Sequence, residues 1–143
     1  MMISGGIAAV ALALVAALHV VWAFSPWPLA SRADFARLVV GVPEDGLPSR
    51  PLTLLVAGLI AAAGYVVAAR AALLPEVGPS WVVEVGAFVV AGVLGLRGAA
   101  GLVSSGMRGG AAPDFDRLDL RYYSPLCLVL AGLTLWVALA SGG

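Results

Sequence analysis

Charge is scarce in this sequence. Arg, Asp and Glu make up 11% of its 143 residues, and lysine is absent altogether. All eight basic residues are arginine and they balance eight acids, so the net charge is zero. No basic tract offers itself to nucleic acid, and the charge-rich, apolar-poor signature of disorder is missing. Cysteine occurs once, at Cys127, which excludes an internal disulfide and leaves the redox compartment unreadable. Inside an apolar stretch a lone thiol is ordinarily a small hydrophobe. Histidine also occurs once, at His19. With no second candidate ligand, neither a metal nor a haem site is expected within one chain. HExxH, CxxC, a Gly-rich phosphate loop and a serine elbow are all lacking, so no cofactor is expected either. No polar linker interrupts the chain, which makes residues 1–143 one domain.

Hydrophobic length is what the chain has. Apolar residues make up 62% of it, and the mean hydropathy is +1.03. Four apolar runs cover Ile3–Phe24, Leu52–Leu74, Trp81–Val103 and Pro125–Ala140. Tyr122 and Tyr123 stand in front of the last and extend it to a span near 123–140. Each run approaches the ~20 residues that a helix rising ~1.5 Å per residue needs to cross a ~30 Å hydrocarbon core. Helices apolar all round belong in lipid or at the centre of a large protein, and a chain of this size cannot build the latter. The expected fold class is all-α: an integral membrane four-helix transmembrane bundle, multi-pass in the cell membrane, with the lipid bilayer as its partner. The first run is not expected to be a cleaved signal peptide. It lacks a basic n-region, exceeds the usual ~7–15 apolar residues, and runs into Trp22 and Trp27.

Four spans put both termini and the Leu74–Ser80 turn on one side of the membrane and the two longer loops on the other. Arg32, Arg37, Arg50, Arg108, Arg117 and Arg121 fall in the longer loops, and only Arg70 leans the other way. The positive-inside rule then places the long loops in the cytoplasm and both termini outside. Small residues that let helices approach one another form stripes at Ala9, Ala13 and Ala17, at Ala57, Ala61, Gly64 and Ala68, and at Ala87, Ala91, Gly95 and Ala99. Each long loop is expected to hold a short interfacial helix. In the first, Ser31 with Asp34 makes a capping-box-like start, and Phe35, Leu38 and Val39 share a face opposite Arg32 and Arg37. In the second, SSGMRGGAAP reads as flexible, and the following residues put Phe115, Leu118 and Tyr122 on one helical face. Ser124 suits an N-cap for the last span, with Pro125 in the first helical position.

The polar residues within the spans gather at the long-loop end. His19 and Trp22 are one turn apart at the end of the first span, and Arg97 lies near the corresponding end of the third. Asp119, Arg121, Tyr122, Tyr123 and Ser124 enter the fourth at the same level, and Arg50 and Thr53 begin the second there. Ionisable groups within spans are costly and usually face the interior, paired or functional. For Arg97 and Asp119 an ion pair and a ligand-binding role are both open. His19 serves either as an interhelical hydrogen-bond partner or as a chemical group. At the other end Glu84 lies ~20 Å along the helix from Arg97. Arg70 is its expected partner in a structural ion pair; an isolated Glu84 would suit a proton-coupled transporter.

LHVVWA at Leu18–Ala23, the Leu96-Arg97-Gly98 step and LDLRYYSPLCL at Leu118–Leu128 resemble a domain-of-unknown-function family of small four-span bacterial membrane proteins. The resemblance covers nearly the whole chain, and SPLCL is its most specific part. Ser25-Pro26 departs from the glycines that often follow the Trp-Ala pair in members of that family. The resemblance implies a topology and the positions His19, Trp22, Arg97, Asp119, Tyr123 and Ser124, but no activity.

Three functional readings follow from the residues. The first is binding or chemical processing of a small apolar or lipidic molecule at the polar cluster. His19, Asp119 and Tyr123 would act on it, while Trp22, Arg97, Tyr122 and Ser124 would hold it. The second is a non-catalytic membrane subunit, acting with a membrane-protein partner or as a homo-oligomer. The third, ranked lowest, is a dimeric proton-coupled exporter using Glu84, since no broken helix marks a midplane site.

Overall fold

A computed structural model describes residues 2–107 and 112–140. Helix α1 spans Met2–Trp22, and a short α2 at Arg32–Phe35 continues into a π-helical turn at Ala36–Val40. A 3-10 turn at Glu44–Gly46 leads to α3, Arg50–Arg70, and then α4, Ser80–Met107. Helix α5, Pro113–Leu118, runs through a second π-helical turn, Asp119–Tyr123, into α6, Ser124–Ala140. The last three pieces form one continuous helix of 28 residues. Four helices are thus long and apolar enough to cross a membrane, and the described residues contain no strand. The protein is an all-α, multi-pass membrane bundle.

The helices associate as two tight pairs, α1 with α3 and α4 with α6, and the pairs meet less extensively. Ala8, Leu12, Val67 and Leu130 form the centre, wrapped by Ala11, Ile60, Ala63, Val90, Leu94 and Leu133. Small residues set the spacing as expected, but their rows are not straight. On α4 the buried row runs Val83, Ala87, Ala91, Gly98, Gly101, Ser105, and Ala99 is exposed. A spacing of four drifts ~40° per step on a helix of 3.6 residues per turn, so the expected stripe walks off the buried face. On α1 the buried row is Gly5, Ala8, Leu12 and Ala16, while Ala13 and Ala17 are exposed. Ala9 and Ala13 border α3, where a Cβ at Gly64 would lie 3.4 Å from the Ala9 carbonyl oxygen and 3.8 Å from the Ala13 nitrogen.

At the long-loop end the connections interlock. Ser31 Oγ accepts the Asp34 N–H at 3.1 Å, the expected cap of α2, and Phe35 is buried against Trp22 with ring centres 5.2 Å apart. Arg37 bonds Asp34 at 2.9 Å and Asp114 at 2.6 Å, tying the two long loops together. Those hydrogen bonds, first to Asp34 and then to Asp114, raise the guanidinium pKa above its ordinary value. Gly41, at φ +80°, closes the first π-helical turn, and a Cβ there would stand 2.6 Å from Phe115 Cγ, so glycine is needed for both reasons. Arg50 holds the start of α3 to the end of α1, donating from Nε to the Ala23 carbonyl at 2.9 Å and stacking 4.9 Å from the Phe24 ring. The stretch expected to be flexible is helical in α4 through Met107, and residues 108–111, Arg108 among them, lie outside the described residues.

Two local expectations are corrected. The Arg70–Glu84 pair is not formed. Arg70 Nη2 donates to the Ala138 carbonyl of α6 at 3.1 Å, and Glu84 is exposed. Glu84 sits beside the buried Val83–Ala87 row and so turns off the packed face, whereas the partial negative charge on carbonyls near a helix C-terminus attracts a guanidinium. Ser124 is not an N-cap, because the helix begins 11 residues earlier at Pro113 and has αR geometry at Ser124.

Candidate functional site

The second π-helical turn shapes the polar cluster. Pro125 has no N–H to give the preceding turn, and just before it the Ser124 N–H bonds five residues back to the Asp119 carbonyl. In an α-helix residues five apart point ~140° away from each other. The wider turn brings them together, and Ser124 Oγ donates to Asp119 Oδ1 at 2.9 Å. The extra residue also shifts the face beyond it by one position. Tyr123, rather than the expected Tyr122, therefore packs on Phe115, with ring centres 5.9 Å apart. Tyr122 is 53% exposed and lies under the Arg121 guanidinium at 5.5 Å, away from the cluster.

Asp119 is 1% exposed and accepts three hydrogen bonds. Arg97 Nη2 donates to Oδ1 at 3.0 Å, Ser124 Oγ to the same oxygen, and Ser105 Oγ to Oδ2 at 2.6 Å. Arg97 Nη1 also reaches Ser124 Oγ at 3.4 Å. Gly101, between Arg97 and Ser105 on the same face of α4, leaves the space in which these groups meet. A Cβ there would overlap Ser124 Oγ and Arg97 Nη1 and come within 2.9 Å of Asp119 Oδ2. Gly98, one turn earlier, lies against Leu128 and the Ser124 carbonyl. The Arg97 side chain is 44% exposed, so the pair has one sealed member and one open member. Ser105 and Gly101 were not singled out from the sequence. The signal for them is the spacing of four that puts Arg97, Gly101 and Ser105 in one row.

The remaining candidates stand apart from this cluster. His19 Nδ1 lies 2.8 Å from the Val15 carbonyl oxygen of its own helix, and its ring is 4.9 Å from Trp22. Trp22 Nε1 donates to the Trp27 carbonyl at 2.9 Å. His19 makes no hydrogen bond to Arg97, Asp119 or Tyr123. Tyr123 ties the last span to the first long loop, its hydroxyl donating to the Leu38 carbonyl at 3.0 Å. Among the described residues no group of three His, Cys, Asp or Glu side chains could hold a metal ion. Since His19 bonds only backbone of its own helix, His19→Gln is expected to leave the melting temperature in detergent almost unchanged. His19→Leu should cost no more than ~1 kcal/mol, the scale of a polar contact in a membrane bundle.

Four apolar helices closed at one end by a sealed Asp119 and an open Arg97 define a small polytopic membrane bundle with a built polar lock. The chain belongs to the family described as protein of unknown function, DUF3995, whose model matches residues 12–134. That stretch contains every residue of the lock, together with His19 and Trp22, and bears out the resemblance to a four-span family without assigned activity. Comparison with curated proteins and with solved structures found no match.

Proposed function

We propose that this protein binds a small apolar or lipidic molecule, whose polar end meets Arg97 at the long-loop end of the bundle. One observation carries the reading: the lock buries Asp119 to 1% exposure but leaves the Arg97 side chain 44% exposed. Asp119 then positions Arg97 rather than acting on a substrate, since its oxygens face Ser105, Ser124 and Arg97. Ser124 belongs to the same lock, Tyr123 fastens the loop, and His19 with Trp22 forms a separate aromatic pair at the same end of the bundle. Binding is favoured over catalysis because Asp119 and Ser124 are engaged within the lock and the Tyr123 hydroxyl is engaged by the Leu38 carbonyl.

The test is untargeted mass spectrometry of molecules extracted from the purified protein. A defined apolar species enriched over the bulk membrane lipids, and recovered unaltered after prolonged incubation, is the expected result. The second reading, a non-catalytic subunit, is favoured by the same internal saturation of Asp119. It would take over if nothing is enriched and a membrane-protein partner co-purifies in fixed proportion. An exporter working through Glu84 ranks below both.

The arginine distribution supports an orientation with both long loops in the cytoplasm and both termini external. In a Gram-negative expression host, a cytoplasm-only fluorescent reporter on the C-terminus is expected to stay dark, and an enzyme active only in the periplasm to work. The opposite pattern would move the lock to the other face of the membrane.

A further inference from the structure

Helices α3 and α4 run antiparallel and touch where Val66 meets Gly86, whose Cβ would lie 3.1 Å from Val66 Cγ1. From that contact one row on each helix leads toward the long-loop end. On α3 the row is Val66, Leu59, Leu55, Leu52, and on α4 it is Gly86, Val90, Val93, Arg97. These steps of three, four and seven keep each row on one face. The register sets Leu59 level with Val93 and Leu55 level with Arg97. Rows in continued contact would bury each other, yet Leu59, Leu55 and Leu52 are 62%, 58% and 49% exposed, and Val93 is 60% exposed. Beyond Val90 the two rows therefore do not cover each other, α3 being paired mainly with α1 and α4 with α6. They bound an apolar strip open to lipid, with Arg97 at its far end, roughly 16 Å of helix from Gly86.

We infer that this strip forms a crevice that takes an acyl chain of an anionic phospholipid, with the head-group phosphate on Arg97. The inference rests on the amphiphile-binding reading above and names its ligand. Charge complementarity selects the occupant. The Arg97–Asp119 pair is formally neutral, but the Asp119 oxygens are turned inward and sealed, so the surface offered to a ligand is guanidinium N–H alone. A guanidinium suits phosphate, which it can meet through two parallel hydrogen bonds. The depth also fits. Arg97 lies ~24 Å along α4 from Trp81, about one turn short of the far edge of a ~30 Å core and within reach of the phosphate level.

The experiment is native mass spectrometry of protein equilibrated with vesicles of equal parts phosphatidylglycerol and phosphatidylcholine. The wild type is expected to retain phosphatidylglycerol over phosphatidylcholine by roughly tenfold, the discrimination of one charge-assisted contact. The double variant Arg97→Gln/Asp119→Asn removes both charges while keeping side-chain size, and should lose the preference. Leu59→Trp, a substitution at an exposed wall position, fills the crevice without touching the lock and should reduce retention of both lipids. A wild-type preference that survives both variants would overturn the crevice. So would enrichment of a neutral species indifferent to both, although the broader binding reading would then stand. Retention of no species above bulk lipid would overturn the binding reading itself.

Discussion

Arg97→Met is expected to destabilise the folded bundle by about 3–5 kcal/mol, the cost of leaving one member of a buried ion pair alone. The loss should exceed that of Asp119→Leu, and the asymmetry follows from exposure. Without Arg97, Asp119 keeps the Ser105 and Ser124 hydroxyls but is left at 1% exposure with no counter-charge. Without Asp119, Arg97 is already 44% exposed and can turn toward head groups and water. The double variant Arg97→Met/Asp119→Leu removes both charges and should melt above either single variant, because apolar replacement of a buried pair is often neutral or better. Thermal melting of all three in one detergent gives the coupling directly. Additive losses would mean that the pair contributes nothing as a pair. Equal losses for the two single variants would mean that Arg97 is as sealed as its partner.

The spans were legible because hydropathy over about twenty residues has few alternative explanations in a chain of this size. Their ends were less so. The sequence pattern ran the second span to Leu74, but α3 stops at Arg70, where Ala71 and Ala72 leave helical geometry. Arg97 and Asp119 were legible as a pair, since a membrane leaves two such charges few other partners. The means by which Asp119 is held was not, because it depends on a π-helical turn. Pro125 hinted at a helix start there and the chain instead widened its helix, exchanging Tyr122 for Tyr123 on the inner face. Hydrophobic periodicity assumes 3.6 residues per turn and loses register at any such insertion. Glu84 and Arg70 show the complementary failure. Similar depth in the membrane was readable, but the direction each side chain takes around its helix was set by packing among four helices.

Gly101→Ala is the smallest substitution expected to break the lock, and glycine was the feature of the site least readable as functional. Its added methyl would overlap Ser124 Oγ and Arg97 Nη1 and press on Asp119 Oδ2. Two routes remain open to the chain. Either α4 moves off α6, opening the contacts of Gly98 with Leu128 and the Ser124 carbonyl, or Arg97 swings out and strands Asp119. The first costs about 1–3 kcal/mol as overpacking, and the second approaches the cost of the broken pair. Alanine's better helix propensity returns at most ~1 kcal/mol. Gly92 and Gly106 on the same helix are the controls, because a Cβ at either meets nothing within 4 Å among the described residues. Their alanine variants should melt at or slightly above the wild type, whereas Gly101→Ala should melt well below it. If Gly101→Ala also abolishes the preference for phosphatidylglycerol while Gly92→Ala keeps it, then the lock holds Arg97 in position for its ligand as well as holding α4 to α6. A Gly101→Ala protein as stable as the two controls would show that α4 and α6 do not approach closely enough for Arg97 and Asp119 to meet over the helix backbone.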